Sequence, residues 1–152
     1  MVIFWTDSDK SKVLFSSFVK CRKTGYLFWY LMPHQKLNIL ILEDEAFVAY
    51  DLAETVELAG HGVLGPYFNC EEAEKSLAEV KPDYAILDID LGNGRDSLSL
   101  AKQLKNKAIP FTFATGYGGK QSEFFRDFED IPRLSKPFGF HEVEDQISTL
   151  MG

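Results

Sequence analysis

From residue 37 onward the chain alternates short apolar runs with longer stretches whose apolar side chains recur every three to four positions. Residues 37–42, 84–87 and 110–114 form the runs, a pattern of strands buried on both faces of a parallel sheet. Residues 62–65, stopping at Pro66, and 133–135 predict two shorter strands. Between the runs, Val48, Leu52, Val56 and Ala59 share one face of a helix over 45–59, with Gly60 as its C-cap. Asn69 caps a second helix over 70–80 that turns Ala73, Leu77 and Val80 inward. Lys81-Pro82-Asp83 makes a turn. A flexible loop at Gly92-Asn93-Gly94 leads to Asp96 as N-cap of a third helix over 97–106, which buries Leu98, Ala101 and Leu104 or their neighbours. A fourth helix is predicted over 120–128 and a fifth over 140–150. Strand and helix alternate five times, which specifies an α/β fold with a doubly wound parallel sheet.

Chemistry sits at the ends of these runs. Glu43 and Asp44 follow the first strand, Asp88 the third and Thr115 the fourth, while Lys136 follows the fifth and precedes Pro137. Open parallel sheets bind ligands at the carboxyl ends of their strands. One sheet edge therefore receives three carboxylates, a hydroxyl and an ammonium. Two unit charges about 4 Å apart repel by roughly 4 kcal/mol at an effective dielectric near 20. Such a cluster protonates or holds a cation. Oxygen donors suit Mg²⁺, which keeps waters and takes phosphate oxygens as further ligands. A cation there shields a carboxylate from an incoming phosphate and stabilises charge on the transferring group. Lys136 and Thr115 can contact phosphoryl oxygens, and Asp is an established covalent nucleophile.

Each residue alone has a plainer role. Glu43-Asp44 can be helix N-terminal charge, Asp88 a cap, Thr115 structural and Lys136 a solvated loop lysine. Their order on successive strand ends favours the functional reading. His34, His61 and His141 lie far from these positions in sequence and read as surface residues.

The segments Ile39-Leu40-Ile41-Leu42-Glu43-Asp44-Glu45, Pro82-Asp83-Tyr84-Ala85-Ile86-Leu87-Asp88-Ile89-Asp90-Leu91, Phe113-Ala114-Thr115-Gly116 and Ser135-Lys136-Pro137-Phe138 resemble the receiver domain of two-component response regulators, over about residues 37–150. The resemblance implies a flavodoxin- or CheY-like sheet of five parallel strands in the order 2-1-3-4-5. It implies that Asp88 is the phosphoacceptor, served by a sensor histidine kinase or a phosphotransfer protein. Glu43, Asp44, Asp88 and the backbone carbonyl of Asp90 would hold Mg²⁺, with Glu43 partly through water. Thr115 and Lys136 would bind the acyl phosphate, and the Lys136–Pro137 bond would be cis. Such a domain catalyses only its own phosphorylation and dephosphorylation.

The family's switch commonly has an aromatic on the fifth strand, three residues before the lysine. Here that position is Arg133, which puts the usual coupling of threonine movement to aromatic burial in doubt. The stretch 110–117 is similar to the "FAT GUY" receivers of alphaproteobacteria, which often lack that aromatic. No output domain follows the last predicted helix, so a stand-alone receiver acting by protein contact or phosphorelay is expected. Its contact face, by family analogy, is the fourth helix, fifth strand and fifth helix. Thr115 and the loop 116–119 are the expected moving parts, and Asp90 and Tyr117 flank the path of a hydrolytic water. Homodimerisation is left open. Two alternatives remain: a haloacid-dehalogenase-like phosphatase, suggested by Asp88-Ile89-Asp90, and a receiver-fold interaction module that is never phosphorylated.

Charge adds one exclusion. The 152 residues carry a formal net charge of −7. Residues 1–36 hold six Lys/Arg against two Asp, and residues 37–152 hold ten against 21 Asp/Glu. The acidic part repels nucleic acid. Cys21 and Cys70 make neither a disulfide framework nor a metal set, which fits a reduced cytoplasmic setting. Residues 1–36 also contain eight aromatics, among them both tryptophans. Lys20, Arg22 and Lys23 break up any spanning helix, and no secretory cleavage pattern follows 26–32. A membrane-surface segment, a docking arm, a poorly ordered leader and a start placed before Met32 all stay open.

Overall fold

The structure, a computed structural model, describes residues 35–116 and 124–149. The chain divides into two units, Met1–Pro33 and His34–Gly152, and every described residue lies in the second. The predicted amino-terminal extension up to residue 34, with Cys21 and His34, lies outside the described residues. So do Tyr117 with its loop through residue 119 and the first part of the predicted helix over 120–128.

Five parallel strands form the sheet: β1 (Asn38–Leu42), β2 (Gly62–Tyr67), β3 (Tyr84–Asp88), β4 (Phe111–Thr115) and β5 (Arg133–Ser135). Their order is β2-β1-β3-β4-β5, as expected. The helices are α1 (Ala46–Leu58), α2 (Cys70–Glu79), α3 (Leu98–Asn106) and α4 (Phe140–Ser148). The period of two along a strand sends alternate residues to opposite faces, and two cores result. Leu40, Leu42, Ala85 and Leu87 pack with Ala73 and Leu77 of α2 and with Leu100, Ala101 and Leu104 of α3. Ile39, Ile41, Tyr84 and Ile86 pack with Leu52 and Val56 of α1 and with Val143 and Ile147 of α4. Each fully buried Leu or Ile contributes about 1.5–3 kcal/mol, so the two central strands carry much of the stability.

Local signals set the helix ends. Gly60, at φ +89, closes α1: its N–H donates to the Glu57 carbonyl at 2.9 Å and the His61 N–H to the Val56 carbonyl at 3.2 Å, a Schellman ending that requires a left-handed residue. Asn69 Oδ1 accepts the Glu72 N–H at 3.0 Å and caps α2. Asp96 Oδ1 accepts the Leu98 N–H at 3.0 Å and serves α3.

Several expectations need correction. The face of α1 is rotated slightly: Ala49 and Ala53 are buried with Leu52 and Val56, whereas Val48 and Ala59 are half-buried. Val80 lies past the end of α2 and is 45% exposed. Strand β2 does not stop at Pro66 but runs to Tyr67, with a register irregularity against β1 and a cis Gly65–Pro66 bond. An edge strand tolerates proline because one side needs no ladder donor. His61 is not a surface residue: it is 6% exposed, and its Nδ1 accepts the Leu37 N–H at 3.3 Å. His141 is exposed as expected. Of the predicted fourth helix, residues 124–127 form a single 3-10 turn. Phe128, right after it, inserts against Phe111 and Phe113. Among the described residues no helix is long and apolar enough to cross a membrane.

Candidate cation and phosphoryl site

Strand register assembles the site. Leu42 of β1 is paired with Leu87 of β3, so the next residues, Glu43 and Asp88, emerge side by side. Asp88 in turn is paired with Ala114 of β4, and Thr115 with Ser135 of β5. Thr115 and Lys136 therefore leave the sheet at the same edge. The Lys136 N–H donates to the Thr115 carbonyl at 2.7 Å, and the Lys136–Pro137 bond is cis. The extension of β2 contributes as well, because the Tyr67 carbonyl accepts the Glu43 N–H at 3.0 Å.

Lys136 is the hub. Its Nζ lies 2.6 Å from Asp88 Oδ2 and 2.5 Å from Glu43 Oε2. Glu43 is fully buried and Asp88 is 7% exposed. Glu43 Oε1 accepts the Glu45 N–H at 3.3 Å. Its Oε2 faces the Lys136 ammonium. Burial pushes the Glu43 carboxyl up from 4.5 to about 7; Lys136 opposes that rise and the charge of Asp88 adds to it. For Lys136, burial pulls the ammonium down. The Asp88 and Glu43 carboxylates outweigh burial and hold it above its ordinary value.

One carboxylate oxygen each from Glu43, Asp44 and Asp88 lie within 4.8 Å of one another. This donor set fits a hard divalent cation. Glu43 Oε2 and Asp88 Oδ2 share the single Lys136 ammonium, so two buried carboxylates face one positive charge. The Asp90 side chain is engaged separately. The Asp90 N–H donates to Asp88 Oδ1 at 3.3 Å, and its own carboxylate accepts the Gly92 N–H at 3.0 Å. Thr115 is half-buried at the rim. Arg133 is exposed on β5, paired in register with Phe113. Sequence reasoning missed the double engagement of Lys136, which needs the β1–β3–β5 geometry. It placed a loop at 92–94 but read it as flexible, whereas the Gly92 N–H donates to Asp90 and the Arg95 N–H to the Gly92 carbonyl; the Asp90-x-Gly92 spacing was the available signal.

No family model matches the chain. Among solved structures, SdrG from Sphingomonas melonis Fr1 is 32% identical, covers 77% of this chain and 98% of its own, and superposes with a TM-score of 0.66. The REC domain of the response regulator PhyR from Erythrobacter litoralis is 26% identical over 76% of this chain and 90% of its own, with a TM-score of 0.66. The transcriptional regulatory protein PdtaR of Mycobacterium tuberculosis is 33% identical over 109 residues, 70% of this chain and 52% of that protein. The chain thus spans about half the length of that curated relative. Similarity to SdrG and to a PhyR domain agrees with the Phe113-Ala114-Thr115-Gly116-Tyr117 segment of the "FAT GUY" type. By fold, by the residues at its sheet edge and by these likenesses, the chain belongs to the receiver domains of response regulators in two-component signalling.

Proposed function

We propose that this receiver accepts a phosphoryl group on Asp88 in a Mg²⁺-dependent reaction and signals by protein contact or phosphorelay. An Asp88 carboxylate oxygen forms the new bond to phosphorus. The bond from phosphorus to a donor imidazole nitrogen breaks, and that nitrogen keeps the electron pair. The donor is a histidine kinase or a histidine-bearing phosphotransfer protein. The observation that carries this reading is the setting of Asp88: a carboxylate on a buried strand end, held by an ammonium, beside two more carboxylates.

Glu43, Asp44 and Asp88 would hold the cation, with the Asp90 carbonyl as the further ligand implied by the family. Bound there, it neutralises charge between the carboxylates and the phosphoryl oxygens. Lys136 holds Asp88 in place and presents its ammonium to a phosphoryl oxygen. Thr115 offers a hydroxyl from the adjacent strand end. Phosphorylation adds about −1.5 to −2 charge near pH 7, and Thr115 with the loop after it responds. The output face is the region of β5 and α4 with the segment before them. The phosphatase alternative would use Asp90 as acid/base and gives Glu43 no role, whereas Glu43 is buried against Lys136 at the site.

The test is intact-mass spectrometry after incubation with acetyl phosphate. One phosphoryl adduct, dependent on Mg²⁺ and absent in Asp88→Asn, is expected. An adduct of equal yield in the variant would overturn the assignment.

A further inference from the structure

The turn between β3 and α3 contains three consecutive left-handed residues: Gly92 at φ +67, Asn93 at +54 and Gly94 at +72. It is pinned rather than loose. Asp90 Oδ1 accepts the Gly92 N–H at 3.0 Å. The Gly92 carbonyl accepts the Arg95 N–H at 3.0 Å, and the Leu91 N–H donates to the Arg95 carbonyl at 3.0 Å. Asp90 and Asp96 bridge its base.

The two glycines look alike in sequence and in backbone, but their surroundings differ. A Cβ on Gly94 would meet nothing within 4 Å, whereas a Cβ on Gly92 would stand 3.0 Å from Asp44 Oδ2. Asp44 supplies one of the three clustered carboxylates. The Asp44 carboxylate thus stands where a side chain at position 92 would begin. Because Asp90 ties the Gly92 amide, the turn cannot retreat from a new side chain without breaking that hydrogen bond.

We propose that Gly92 is a positioning residue for cation binding: the absence of a side chain there lets the turn close on Asp44 and fixes where its carboxylate stands relative to Glu43 and Asp88. This rests on the reading of those carboxylates as the cation site. A methyl at 92 moves Asp44 by contact. A methyl at 94 imposes a similar backbone penalty with no contact, so the pair separates displacement from strain.

The experiment is a Mg²⁺ titration of the full chain and of Gly92→Ala and Gly94→Ala, followed by calorimetry and by amide chemical shifts. Outer-shell hydrogen-bond partners of metal ligands typically change affinity by about 10–100-fold, and a steric contact on the ligand itself is set at the lower end of that range. Gly92→Ala is expected to bind Mg²⁺ at least about tenfold more weakly, while Gly94→Ala stays near wild type. If Gly92→Ala does not fold, Gly92→Asn carries the same Cβ on a residue that tolerates a left-handed backbone and is expected to show the same loss. Equal losses at 92 and 94, or wild-type affinity at 92, would overturn the positioning role while leaving the cation site standing. Wild type that binds no Mg²⁺ would overturn the cation site and the positioning role together.

Discussion

Two lysines of this domain make ion pairs of very different kinds. Lys75 pairs with Glu71 at 2.9 Å, one helical turn away on α2, with both side chains at least 71% exposed. Lys136 pairs at 2.5 and 2.6 Å with Glu43 and Asp88, whose side chains are 1% and 9% exposed. The contacts are of similar length, so the difference lies in the surroundings. Water screens the first pair, and its loss is easily replaced. The second is desolvated, outnumbers its one ammonium with two carboxylates, and shifts the Glu43 proton equilibrium toward neutrality. Nothing about stability requires that arrangement, since buried ion pairs are often no better than apolar packing. Two buried carboxylates around one ammonium are the charge distribution expected of the cation and phosphoryl site proposed above.

The sharpest way to break this contrast is Lys136→Met. It leaves Glu43 and Asp88 facing each other without the ammonium. Loss of one partner from a buried pair costs about 3–5 kcal/mol, and protonation of Glu43 brings the cost toward about 3. Urea unfolding without metal should show that loss, and Mg²⁺ should restore part of it. An unchanged midpoint would mean that Lys136 is solvated rather than a hub.

A smaller effect follows from Glu43. Its carboxyl is raised from 4.5 to about 7 in the folded chain, so folding favours its protonated form. That contribution is full below pH 4.5 and is lost as pH rises through about 7. A proton on Glu43 also competes with a cation for the same oxygens. Relative to Glu43→Gln, the metal-free melting temperature should therefore fall across this window, while the gain from added Mg²⁺ should grow. Melting curves parallel to those of Glu43→Gln would contradict the shift.

The smallest effect belongs to the exposed pair. Lys75→Ala should leave the urea midpoint unchanged in high salt, where surface pairs are screened. A clear loss there would show that α2 depends on this pair and would blur the contrast.

Much of this was legible in the chain itself. Apolar runs of period-independent character marked the central strands, because both faces of β1 and β3 are buried. Asn69 and Gly60 marked helix ends through side-chain and backbone chemistry that is local. The order Glu43-Asp44, Asp88, Thr115, Lys136 foretold which residues share one sheet edge, because parallel strands end together. What failed was decided by tertiary context. His61 is buried by the start of β1, far away in sequence. Proline at 66 was read as a stop, but an edge strand accommodates it. Residues 124–127 gave a single 3-10 turn where a longer helix was expected, with Phe128 fixed by the aromatic cluster on β4. The approach of Gly92 to Asp44 joins two loops that no spacing rule connects.

The most direct test of the central claim locates the phosphoryl group without altering the chain. After incubation with acetyl phosphate and Mg²⁺, borohydride reduction converts a phosphorylated aspartate to homoserine, which peptide mass spectrometry places in the sequence. Homoserine at position 88, and at no other aspartate, is the predicted result. Homoserine at 44 or 90 instead would contradict the assignment of Asp88 as phosphoacceptor.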